Sequence, residues 1–121
     1  MYIKLNKDYE VKTTLGTIRE IEKLFDKAFL DVIGNIATMK IDEQIRFIFA
    51  GVKKANSEMT EKAFSDLCDD YVGMGELMEY LEQYIFALQY PGLSEQEVQD
   101  KLEKKLERTQ KLSKNKAAKA G

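Results

Sequence analysis

The chain has no histidine and no tryptophan, one cysteine and one proline in 121 residues. The missing histidines remove the commonest general base and the commonest metal ligand together. A lone Cys68 cannot form an internal disulfide, which suits a reducing compartment. No apolar run reaches the ~18 residues of a membrane-crossing helix. The opening Met1-Tyr2-Ile3-Lys4-Leu5 lacks the long apolar stretch of a secretory signal. What is present, 44% hydrophobic and 33% charged residues, is the composition of a globular chain and not of a disordered one. The length fits one domain. Together these features point to a cytoplasmic, helical, non-catalytic domain that needs no cofactor.

The net charge of −2 hides an asymmetry. Lys101, Lys104, Lys105, Arg108, Lys111, Lys114, Lys116 and Lys119 face only Glu103 and Glu107 in the last stretch. The end is therefore strongly basic and the first hundred residues strongly acidic, a hint of self-contact or of a charged partner.

Apolar and charged residues alternate in Tyr2-Ile3-Lys4-Leu5 and again in Tyr9-Glu10-Val11-Lys12-Thr13, on either side of the turn-rich Asn6-Lys7-Asp8. This predicts a β-hairpin with Tyr9, Val11 and Thr13 on one face. From Thr14 the period becomes helical. Leu15, Ile18, Ile21, Leu24, Phe25, Ala28, Phe29, Val32, Ile33 and Ile36 make one broad apolar face, with Thr14 or Thr17 as cap and Gly34-Asn35 as the end. A second helix is expected over Asp42 to Ala55 with Ile45, Ile48, Phe49 and Val52 inward. A third is capped by Thr60 and carries Ala63, Phe64, Leu67, Cys68 and Tyr71; a fourth runs from Glu76 to Tyr90. Pro91-Gly92 is the clearest break. Beyond it Ser94-Glu95-Gln96-Glu97 forms a capping box, opening a helix with a thin stripe of Val98, Leu102 and Leu106. The expected organisation is a mainly α protein. A small N-terminal β-hairpin leads into a four- to five-helix bundle-like body (1–92), then a charged amphipathic helix (93–112) and a disordered basic end (113–121).

Chemistry has few candidates. Asp66, Asp69 and Asp70 sit within one helical turn, and Glu76, Glu79 and Glu82 follow at spacing three, but solvated helix faces have this look and no calcium-loop or phosphate-loop pattern accompanies them. Cys68 lies on the apolar side of its helix with no histidine to activate it. A sharper signal comes from projecting each helix down its axis. Leu77, Met78, Tyr80, Leu81, Tyr84, Ile85 and Leu88 cover about half of the fourth helix, while Phe86 projects among Glu79, Glu82 and Gln83. Leu30 projects between Arg19 and Lys23, and Phe47 between Arg46 and Lys54. Two readings are open: a multi-helix body that buries some helices on two sides, or an exposed protein-binding patch. On the second, Leu30, Phe47, Phe86, Tyr80 and Tyr84 are the candidate protein-binding residues. Met74, Met78 and Tyr90 enrich the same helix in adaptable side chains.

The run from Tyr2-Ile3-Lys4-Leu5-Asn6-Lys7-Asp8-Tyr9-Glu10-Val11 into Thr14-Leu15-Gly16-Thr17-Ile18-Arg19-Glu20-Ile21-Glu22 resembles the opening of tail assembly chaperones. These belong to long-tailed bacteriophages and prophages of Gram-positive bacteria. Ile45 to Lys54 as a middle helix, Met59-Thr60-Glu61 opening the next, Gly75-Glu76-Leu77-Met78-Glu79-Tyr80-Leu81, and the lysine-rich end extend the resemblance over most of the chain to about Tyr90. It implies a small helical protein of the host bacterial cytoplasm, absent from the mature virion. Such a chaperone coats the tape measure protein, keeps its hydrophobic helices soluble and recruits tail tube protein. It has no catalytic residues, and a longer form is often made by a ribosomal frameshift near the 3′ end of the gene. Many copies lining a long client imply a homo-oligomer. No membrane is involved. The competing reading is a small helical bacterial regulator or adaptor that binds nucleic acid through its basic C-terminus, a role the acidic body argues against.

Overall fold

The structure, a computed structural model, describes residues 1–90 together with Asp100 and Glu103, which are both helical. By its internal contacts the chain divides into Met1–Pro91 and Gly92–Gly121. The basic end at 113–121 lies outside the described residues, as does the expected helix at 93–112 apart from Asp100 and Glu103. Among the described residues no helix is long and apolar enough to cross a membrane.

Met1–Pro91 is mainly helical with a short hairpin in front. Strands β1 (Tyr2–Lys4) and β2 (Asp8–Glu10) pair antiparallel with Ile3 opposite Tyr9. The period-two pattern puts Ile3, Leu5, Tyr9 and Val11 into the core and leaves Glu10 and Lys12 in solvent. Helix α1 (Leu15–Phe25) starts at Thr14, whose hydroxyl accepts from the Thr17 N–H. The Thr17 hydroxyl in turn donates to the Lys12 carbonyl at 2.7 Å, tying helix to hairpin.

The single long helix expected from Thr14 to Gly34 is two helices. Asp26 takes the left-handed conformation (φ 49°, ψ 44°) and ends α1. This is a conformation that Asp adopts more readily than most non-glycine residues. Helix α2 (Phe29–Asn35) then starts with its Phe29 N–H donating to the Glu22 carboxylate of α1 at 3.0 Å. A 3-10 turn (Ile36–Thr38) follows.

Helix α3 (Ile41–Ala55) is the centre of the body, packed against α1, β2, the 3-10 turn and two later helices, α4 (Glu61–Tyr71) and α5 (Met74–Gln89). Neighbours on more than one side explain why Gln44, Ile45 and the unbroken run Phe47 to Val52 are all buried. Gly51 allows the closest approach: a Cβ there would stand 2.6 Å from Val11 Cγ1 and 2.7 Å from the Lys12 carbonyl oxygen. The Gly51 carbonyl also accepts from the Lys12 N–H at 3.0 Å. Asn56 closes α3, its side-chain amide donating to the Val52 and Glu10 carbonyls. Thr60 caps α4 by accepting from the Ala63 N–H, and Arg46 reaches across to Glu61 at 2.7 Å.

Candidate functional site

The five residues expected to form a protein-binding patch do not make an exposed one: Phe47 and Tyr84 meet in the core, and only Leu30 is largely exposed. Leu30, in α2, is 75% exposed. Phe47 is fully buried, its ring edge-on to Phe25 at 6.5 Å and to Tyr84 at 5.0 Å between ring centres. The expectation that Phe47 projects into solvent is therefore overturned. Projection down one helix assumes one wet face, and α3 has neighbours on several sides. Tyr84 is equally buried, and no hydrogen bond of ordinary geometry reaches its hydroxyl. Burial raises that phenol's pKa, and the nearby Gly51 backbone offsets the rise only in part. Tyr80 is half-buried and structural: its hydroxyl accepts from the Lys4 N–H at 3.3 Å and holds the hairpin to α5. Phe86, placed by its helical position on the charged side of α5, is buried as well and packs against Tyr90, the rings tilted by 41° with centres 5.1 Å apart. It stands apart from the main core cluster.

The apolar surface that does stay open lies elsewhere. Helix α4 ends at Tyr71, and the two-residue link Val72-Gly73 turns the chain into α5. The start of α3 lies against this corner. Ile41, Ile45, Cys68, Asp69, Val72, Gly73, Met74 and Leu77 enclose a groove of about 420 Å³. That volume falls in the range of pockets that take a ligand group. Ile45, Cys68 and Leu77 are buried and form its floor. Ile41 and Met74 stand on its rim, 51% and 55% exposed. Each is the first residue of its helix. Helical side chains lean toward the N-terminus, so these two reach past their helix ends with no preceding turn to cover them.

The groove's chemistry is limited. Cys68 is its one thiol, and burial, helped by Asp69, pushes its pKa up to about 12. The thiol stays protonated at neutral pH and is a poor nucleophile. Asp69 is the one charged residue of the lining. Among the described residues no three acidic, cysteine or histidine side chains converge as a metal site, so Asp66, Asp69 and Asp70 do not form one. What the groove can do is bind apolar side chains. Sequence reading noted Met74 as part of an adaptable helix but passed over Ile41, which lies just before the expected helix start. Only folding brings residues 41, 68 and 74 together.

No protein family, curated protein or solved structure matches the chain.

Proposed function

We propose that this protein is a non-catalytic tail assembly chaperone of a long-tailed phage or prophage. It binds the tape measure protein, keeps it soluble and helps to recruit tail tube protein, acting as a homo-oligomer in the host cytoplasm. The observation that carries the reading is the open apolar groove at the junction of α3, α4 and α5. Holding an aggregation-prone helix requires apolar contacts that remain accessible on a stable body. A methionine on the rim supplies a surface that adapts to different side chains. The hairpin leading into a helical body is the architecture that the sequence resemblance implies.

The test is co-expression. A tape measure fragment from the same genome, insoluble alone, is expected to appear in the soluble fraction and to co-purify with the full chain. If it stays insoluble and the chain instead binds DNA or RNA with steep salt dependence, the chaperone reading falls. The regulator with a basic C-terminus replaces it.

A further inference from the structure

Resting on the chaperone reading, we propose that the groove between α3, α4 and α5 seats one face of a client α-helix whose apolar residues are flanked by lysine or arginine. The partner's chemistry follows from three properties of the site.

The first is apolar capacity. A floor of Ile45, Cys68 and Leu77 under a rim of Ile41 and Met74 takes large aliphatic or aromatic side chains and offers a polar ligand almost nothing to bond. The second is the form of the partner. Every lining residue belongs to a helix or to the Val72-Gly73 link, so no strand edge is available to pair with an extended peptide. A helix satisfies its own backbone and needs only side-chain anchors spaced by three or four, the helix-in-groove mode.

The third property is charge. Asp69 lies in the lining, Asp42 and Glu43 in the first turn of α3, and Glu76 in the first turn of α5; Asp66 and Asp70, two residues either side of Cys68, fall on the far side of α4. Against these four carboxylates stand Lys40 and Arg46, and Arg46 is already paired with Glu61 at 2.7 Å. The helix ends pull the other way: two N-termini and one C-terminus leave about half a positive unit in net terms. The carboxylates still outweigh these positive charges. Flanking cations on the partner are therefore attracted, and flanking carboxylates are repelled within a Debye length of about 8 Å.

The experiment uses the full chain and two fluorescent synthetic helices. One has leucines spaced by three and four with lysines beside them; its twin has glutamates in place of the lysines. The lysine helix is expected to bind, and the glutamate twin at least about fivefold more weakly, in line with about 1 kcal/mol of rim electrostatics. Ile41→Ser and Met74→Ser are each expected to weaken the lysine helix about tenfold or more. Both positions are half exposed and start a helix, where serine is well tolerated, so the body folds. Asp69→Lys is expected to remove the preference between the twins, and Leu30→Glu, outside the groove, to change nothing.

Equal binding of the twins, or wild-type binding by Ile41→Ser and Met74→Ser, overturns the proposal. So does self-association that both variants abolish while no helix binds, because the groove then belongs to a second copy. A chain that keeps the tape measure fragment soluble with either groove variant retains the chaperone function and loses this site. A chain that binds the lysine helix through the groove but never rescues the fragment retains the site and loses the function.

Discussion

Replacing Gly51 by alanine sets two well-defined effects against each other. In a helix interior alanine is favoured over glycine by about 1 kcal/mol, so propensity alone makes Gly51→Ala stabilising. The packing opposes it. The new methyl would stand 2.6 Å from Val11 Cγ1, 2.7 Å from the Lys12 carbonyl oxygen and 2.9 Å from Tyr84 Cε1. Real carbon contacts do not come this close, so something must move. Val11 can turn, but the Lys12 oxygen is backbone. Its displacement strains the bond from the Thr17 hydroxyl at 2.7 Å and the Lys12 N–H bond to the Gly51 carbonyl at 3.0 Å. Overpacking typically costs about 1–3 kcal/mol, and each strained hydrogen bond adds about 1 kcal/mol. After the propensity gain, a net loss of about 2–4 kcal/mol remains. For a body of this size that is a fall in Tm of about 4–8 °C per kcal/mol. Gly34→Ala supplies the control: nothing lies within 4 Å of its added Cβ, and about 0.5–1 kcal/mol of stabilisation is expected. Thermal melts followed by circular dichroism read both. A Gly51→Ala protein that melts at or above the wild type would refute the close approach of α3 to the hairpin's exit.

Tyr84→Phe removes a buried hydroxyl that only a poorly aligned contact with the Gly51 backbone reaches, and should leave stability equal to wild type or raise it by up to about 1 kcal/mol in urea titrations; a loss of that size would reveal a partner the hydroxyl depends on. Cys68 should react with a thiolate-directed alkylator at pH 8 at least about a hundredfold more slowly in the native protein than in urea, because its thiol is held protonated up to about 12. The folded pKa lies above the unfolded one, so this group's stabilisation is full below about pH 9 and is lost as pH rises toward about 12. Cys68→Ala should flatten that alkaline decline, and an unchanged slope would assign it to other groups. Phe47→Ser should cost at least about 3–5 kcal/mol and unfold much of the protein, whereas Ile41→Ser should leave the melt within about 1 kcal/mol of wild type; matched losses would contradict the burial of one and the exposure of the other.

Much of this architecture is written in local pattern. The hairpin follows from strict alternation around Asn6-Lys7-Asp8, and Tyr9 and Val11 go inward as the period demands. Thr14 and Thr60 cap the helices that they precede. The starts of α3 and α5 at Ile41 and Met74 differ from expectation by one and two residues. The break at Asp26 was not legible, since neither glycine nor proline marks it. Apolar residues continue in register on both sides, and what ends α1 is an aspartate in the left-handed conformation, with α2 restarted by a carboxylate from Glu22. Both are tertiary choices that periodicity does not encode.

The site illustrates the same division more sharply. A helix projection finds an odd apolar residue on a charged face, and the inference to an exposed patch needs that face to be wet. Phe47 fails the condition because α3 is surrounded, and Phe86 fails it too. Leu30 meets it, but the burial of Phe47 and Phe86 leaves it no exposed partner among the residues so projected. Exposure in this fold collects instead where helices begin and end. At Ile41 and Met74 the side chains lean past the first turn, and the Val72-Gly73 link is too short to cover them. An apolar residue at a helix start reads in sequence as a boundary uncertainty of one or two positions. In three dimensions the same residue is a contact that its own helix cannot satisfy. Two such residues across one corner, above a floor of Ile45, Cys68 and Leu77 and among carboxylates, make a surface to which a basic amphipathic helix is complementary.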